Sequence, residues 1–183
     1  MSREPFTRLS REVLVDNPWH RYCRDRYVQA DGSDGTYHYV DMAGSVCAVP
    51  LFDDGTTMLV RVRRYLLGCD LYEFATGGLQ PGDDPLAMAQ TELREEAGLE
   101  ASRWDALGTF APYKGVSTEV CHVFLARGLA FVAQDLEASE RITPHRLPLA
   151  DAARLLATQQ PADGMSLAAL ALLDRFRKHG AGA

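Results

Sequence analysis

The run from Gly77 to Leu99, GGLQPGDDPLAMAQTELREEAGL, permits few structures. A glycine-rich turn leads straight into an acidic helix. Asp83 and Asp84 stand where side-chain oxygens accept the orphan N–H groups of a helix start, and Pro85 suits the first helical position. Gly98 follows the last periodic residue and can close the helix in a left-handed cap. Leu86, Ala89, Leu93 and Ala97 recur at helical spacing and form the stripe to be buried. Glu92, Glu95 and Glu96 are spaced i, i+3, i+4, which puts all three carboxylates on one face.

That face is unfavourable by itself. Like charges at those spacings repel, and they lie near the helix C-terminus, where the dipole also disfavours anions. Two arrangements offset the cost. One is a solvated acidic surface eased by Arg94 and Arg103, the usual meaning of a charge run. The other is a hard cation such as Mg2+, which prefers carboxylate oxygens and keeps positions open for phosphate. A glycine-rich turn at a fixed distance upstream favours the second.

The stretch resembles the Nudix box, whose pattern is Gly, five residues, Glu, seven residues, Arg-Glu, an aliphatic, any residue, Glu-Glu, any residue, Gly, an aliphatic. Gly77, Glu92, Leu93, Glu95, Glu96, Gly98 and Leu99 take their places in it. Asp83 stands where the family has Glu, and Thr91 where it has Arg. In the family these two mainly brace the loop and orient the metal-binding glutamates. Asp83 keeps the charge on a shorter arm, whereas Thr91 cannot replace a bidentate fork. The resemblance implies an α+β Nudix fold, a mixed sheet sandwiched between helices. It also implies that Glu92, Glu95, Glu96 and the Thr76 carbonyl hold Mg2+ (or Mn2+), with Glu95 and Glu96 at the catalytic centre.

The preceding run, Leu71-Tyr72-Glu73-Phe74-Ala75-Thr76-Gly77-Gly78-Leu79, is similar to the "W-E-x-P-A-G-G" segment of ADP-ribose and nucleoside-diphosphate-sugar pyrophosphatases. Thr76 replaces an alanine there, which a backbone carbonyl ligand tolerates. Glu73 either braces the loop or holds substrate, beside Gly77 and Gly78. Arg64-Tyr65 resembles the family's substrate arginine, and a guanidinium suits a pyrophosphate or ribose oxygen. The family's glutamine and proline nearby are replaced by Val62 and Leu66. Pro112 to Glu119 resembles the "P-x-x-G-x-S-x-E" segment and makes Glu119 a candidate for substrate or the metal's surroundings. His122, alone in an apolar strand, reads as packing. In similar ADP-ribose enzymes the acidic loop at 132–142 carries the glutamate that activates water. Glu137 and Glu140 both suit that place, and either can equally be a solvated loop residue.

The remaining chain frames this centre. Residues 1–45 read as an N-terminal β-region: a short strand at Glu12–Val15, then β-favouring runs at 26–29 and 36–40 around an Asp-Gly-Ser-Asp-Gly turn. In relatives acting on ADP-ribose, comparable strands cross to a partner subunit, so the resemblance implies a homodimer. Trp19, Tyr27, Tyr37 and Tyr39 are candidates for stacking a base, against simple packing within the hairpin or interface. Residues 46–183 form the Nudix hydrolase domain, with strands at 46–52, 57–62, 104–111 and 120–126. Two structural helices run at about 150–158 and from Asp163–Ser166 to about 178.

A net charge of -6 offers no electrostatic basis for binding nucleic acid. It does not preclude a phosphate substrate, since a bound dication reverses the local field. Cys23, Cys47, Cys69 and Cys121 lack zinc-site or disulfide-frame spacing and read as reduced thiols. No run is apolar enough for a membrane span, and the first residues lack the apolar core of a secretion signal, so a cytoplasmic setting is expected.

The expected activity is therefore metal-dependent hydrolysis of the pyrophosphate bond of ADP-ribose or a related nucleoside diphosphate sugar, giving a nucleoside monophosphate and a sugar phosphate. Two alternatives stand beside it. One is another capped diphosphate, such as GDP-mannose or a dinucleotide. The other is a degenerate domain, marked by Asp83 and Thr91, that binds a nucleotide without turnover.

Overall fold

The computed structural model describes residues 4–136 and 141–180. Among the described residues, ten strands and three helices follow in the order β1(Arg8–Asp16), β2(Arg21–Val28), β3(Asp34–Asp41), β4(Ser45–Pro50), β5(Thr56–Arg64), β6(Cys69–Glu73), β7(Ala75–Gly78), α1(Pro85–Ala97), β8(Leu99–Phe110), β9(Cys121–Phe131), β10(Ile142–Pro148), α2(Leu149–Thr158) and α3(Gly164–His179). They form three sheets, ordered β1-β2-β3, β10-β5-β6 and β7-β4-β9-β8.

Strand β4 lies at the centre. All of its residues are buried, as expected of a strand covered on both faces. Its side chains alternate between two cores. Val46 and Ala48 join Leu93 and Ala97 of α1, while Cys47 and Val49 join Leu156 of α2 and Leu173 of α3. Its neighbours are β9, in parallel, and β7, antiparallel. The parallel pairing sets Ser45 beside Cys121 and so brings the residues before β9 next to the start of β4.

Helix α1 starts and stops as its sequence dictates. Asp84 is the N-cap, accepting from the N–H groups of Leu86 at 2.8 Å and Ala87 at 3.3 Å, with Pro85 in the first position. Gly98 ends the helix at φ 63°, ψ 40°, and its N–H returns to the Arg94 carbonyl at 3.1 Å. Ala89, Leu93 and Ala97 are buried, as the periodicity requires, and Glu96 is buried with them.

The N-terminal β-region is a three-stranded antiparallel sheet. Its first strand is longer than the expected Glu12–Val15, because it pairs with β2 over nearly its whole length. Val40 joins it to the main body by hydrogen bonds to Val116 and Thr118, and Tyr37 Oη donates to the Gly115 carbonyl at 2.8 Å. The strand at 104–111 begins earlier than expected, at Leu99, directly after the Gly98 cap. Ile142, expected to end an acidic loop, instead opens β10, which pairs with β5 from Ile142 to Pro148. Two prolines and a histidine hid that strand from its periodicity.

Candidate active site

The start of β4, strand β7, the approach to β9 and the β5–β6 hairpin converge on one cleft of about 340 Å³. Arg64, Glu73, Thr76, Gly77, Gly78 and Glu119, six residues singled out from the sequence, all line it. The opposite wall is Asp163 and Met165, at the start of α3.

Arg64 and Glu73 close on each other across β5 and β6. Arg64 Nε donates to Glu73 Oε1 at 2.7 Å, and a second guanidinium nitrogen donates to Oε2. The Glu73 side chain is 4% exposed and that of Arg64 41%. The hydrogen bond that Arg64 donates to Glu73 raises the Arg64 pKa against the opposing effect of burial. Alternation along β5 sends Arg61 and Arg63 the other way, to Asp70.

The glutamates of α1 lie behind the β7 turn. Glu96 is 6% exposed, and its Oε2 accepts from the Thr76 N–H at 3.0 Å. Glu92 lies against Gly77, where a Cβ would meet Glu92 Oε1 at 1.9 Å, so only glycine lets the carboxylate approach this backbone. Glu95 faces Arg94, at 3.7 Å. Thus the shared helical face does not gather all three carboxylates at one point. Among the described residues no three acidic, histidine or cysteine side chains are close enough to hold an ion together.

Asp83 Oδ2 accepts from the Gln80 N–H at 2.7 Å and braces the glycine-rich loop locally. Thr91 lies elsewhere, in a surface depression with Arg94 and Trp104. Glu119 Oε1 accepts from Ser45 Oγ at 2.7 Å, and its N–H donates to Ser117 Oγ at 2.9 Å. Glu137 and Glu140 lie outside the described residues.

Three of the aromatic base-stacking candidates are engaged within the N-terminal sheet. Tyr27 meets Tyr37 edge-on with ring centres 6.3 Å apart, and Tyr39 packs on Tyr37 while its hydroxyl donates to Asp25. Trp19 is 75% exposed, in a depression of about 710 Å³ between the β1–β2 turn and the loop before α1. His122 lines this depression, and Met42 lines both it and the cleft.

Sequence reasoning missed Ser45, Asp163 and Met165. Ser45 is the first residue of a buried strand, and nothing local marks it as the partner of Glu119. Asp163 was legible only as a helix cap, which it is, accepting from the N–H groups of Met165 and Ser166. The hydrogen bond from the Phe74 N–H to Ser166 Oγ, 2.9 Å, fixes α3 against the β6–β7 junction and carries Asp163 to the cleft.

A family model described as the NUDIX domain matches residues 42–168. An ADP-ribose pyrophosphatase of Mycobacterium tuberculosis is 33% identical over 84% of this chain and 76% of its own length. An ADP-ribose pyrophosphatase of Bacillus subtilis is 27% identical over 81% of this chain and 84% of its own. A solved structure described as an ADP compounds hydrolase superposes over the whole of both chains with a TM-score of 0.80 at 18% identity. The arrangement of mixed sheets between α1 on one side and α2 and α3 on the other is the Nudix fold, and the chain belongs to the NUDIX domain family.

Proposed function

We propose that this Nudix pyrophosphohydrolase cleaves ADP-ribose or a related nucleoside diphosphate sugar, releasing a nucleoside monophosphate and a sugar phosphate. For ADP-ribose the products are AMP and ribose 5-phosphate. The observation that carries the reading is Glu96. It is a buried carboxylate held to the Thr76 N–H, directly behind a cleft that presents an arginine and two glycines. Burying a carboxylate is costly, and a purely structural helix could place an apolar residue there.

The donors suit a divalent cation such as Mg2+ or Mn2+. Glu92, Glu95, Glu96 and the Thr76 carbonyl offer only hard oxygen atoms. The close approach of Glu92 to Gly77 brings one of these carboxylates to the turn that bears the carbonyl. Glu95 reaches the same side by exchanging its contact with Arg94, a rotation open to a partly exposed side chain. When bound, the cation offsets the negative charge of the pyrophosphate and acidifies water.

The chain's own groups do the rest. Arg64, held in orientation by Glu73, binds a pyrophosphate or ribose oxygen through its outward N–H groups. Gly77 and Gly78 let the phosphates approach the backbone. Glu119, fixed by Ser45, contacts substrate or the metal's surroundings. A glutamate of the loop at 132–142, Glu137 or Glu140, takes the proton of the attacking water. Trp19 provides an exposed ring for a base in the depression that meets the cleft at Met42. The N-terminal sheet pairs two copies: β1 is an edge strand exposing Leu9, Val13 and Val15.

The test is product identification. ADP-ribose and other nucleoside diphosphate sugars are incubated with the full chain and Mg2+, and the products are separated. A nucleoside monophosphate and a sugar phosphate in equal amounts are expected. Intact substrate across the panel, from folded protein, overturns the proposal.

A further inference from the structure

A hollow larger than the cleft lies elsewhere among the described residues. It is a groove of about 850 Å³ at the opposite end of β4, between the β4–β5 turn, α2 and α3. Ser45 lines the cleft and Leu51 lines the groove, so the two are separated by roughly 20 Å of extended strand. Phe52, Leu149 and Leu170 form apolar walls. Ala150, Ala153 and Ala171 stand where side chains of leucine size would interlock the two helices, and they leave the space open. A groove of this volume and apolar character suits a small molecule.

The polar groups at its rim are not balanced. Asp174 is paired with Lys178 at 2.6 Å, and Asp53 faces Arg103 at 3.9 Å. Arg127 donates one nitrogen to Asp105 at 2.5 Å, while its Nε is buried with no hydrogen-bond partner. A buried guanidinium N–H left unpaired is uncommon and requires an explanation. Arg177, on the last turn of α3, has no partner among the described residues. Each acid thus faces a basic side chain, and the guanidinium groups of Arg127 and Arg177 retain spare donors.

We infer that this groove is a second ligand site, which takes an amphipathic organic anion: an apolar body in the channel between α2 and α3, and one acidic group on Arg127 and Arg177. The site is separate from the pyrophosphate cleft and does not depend on the activity assigned to it. Helix α3 forms a wall of both, with Asp163 at the cleft and Arg177 at the groove.

The test is calorimetric titration of the full chain with sodium decanoate below its micellar range, with 1-decanol as the neutral counterpart. Amide shifts in a 15N-labelled sample locate the binding. Expected is saturable one-to-one binding of decanoate, with shifts confined to 51–55, 149–153, 170–177 and the surroundings of Arg127. Ala153→Phe, which fills the groove, weakens it by about tenfold or more. Arg177→Gln, an exposed change, weakens it by about threefold to tenfold, and decanol binds correspondingly less well than decanoate. Unchanged affinity in folded Ala153→Phe, shifts centred on β1 or the cleft, or no heat at millimolar decanoate overturns the site. Equal affinity for decanol, or no effect of Arg177→Gln, overturns the anion assignment.

Discussion

Arg64 and Glu73 form a two-pronged ion pair across β5 and β6, with Arg64 Nε 2.7 Å from Glu73 Oε1. The carboxylate is buried and the guanidinium partly open to the cleft. The pair therefore serves as a mount: Glu73 fixes the fork and leaves part of the guanidinium open to the cleft, where the proposed function has it bind substrate. Arg64→Lys leaves a point charge where a planar fork was. The expected result is a rise of about tenfold in KM for ADP-ribose with a smaller change in kcat, measured by steady-state kinetics. Glu73→Gln should lower folding stability by about 1–3 kcal/mol in urea unfolding, because a buried charge-assisted bond is lost. It should raise KM as well, since the arginine loses its orientation.

Gly77 and Glu92 are in closer contact than any side chain at 77 permits. Gly77→Ala would set a Cβ 1.9 Å from Glu92 Oε1, so the carboxylate must move. A loss of about 1–3 kcal/mol in stability follows from the overpacking. A fall in kcat of about a hundredfold or more follows from displacing a group that must be well positioned. Gly78→Ala is the control: a Cβ there meets nothing within 4 Å, and the stability loss should be absent.

Cys121 is fully buried, and burial pushes its thiol up from 9.0 to about 11. The folded state therefore keeps this proton at pH values where the unfolded chain has released it. Stability from this source is complete below about pH 9 and is lost as pH rises towards about 11, by up to roughly 2 kcal/mol. Urea unfolding at pH 8 and pH 10.5 should show the decline, and Cys121→Ala should flatten part of it. Burial raises the Cys47 thiol in the same direction. Neither cysteine should react with a thiol reagent at pH 8 until the protein unfolds.

Much of this arrangement was legible in the sequence because local rules and tertiary demands agreed there. Asp84, Pro85 and Gly98 specify the ends of α1 by hydrogen-bonding geometry alone, and both caps form as expected. The alternation along β5 separates Arg64 from Arg61 and Arg63 before any partner is known. What was not legible depends on long-range pairing. The parallel register of β4 and β9 creates the Ser45–Glu119 contact across 74 positions of sequence. The Ser166–Phe74 bond across 92 positions carries Asp163 to the cleft. Helical spacing places Glu92, Glu95 and Glu96 on one face, but their carboxylates do not gather at one point, a matter of side-chain rotamers that periodicity cannot express.

Glu96→Gln tests the central claim most directly. The amide oxygen can still accept from the Thr76 N–H, so the fold is expected to persist, checked by circular dichroism and urea unfolding. AMP formation from ADP-ribose with Mg2+ is compared between wild type and variant, each with and without EDTA. The account predicts turnover in the wild type that EDTA abolishes, and a loss of about a hundredfold to ten-thousandfold in the folded variant. Equal turnover in folded Glu96→Gln, or turnover indifferent to EDTA, would contradict it.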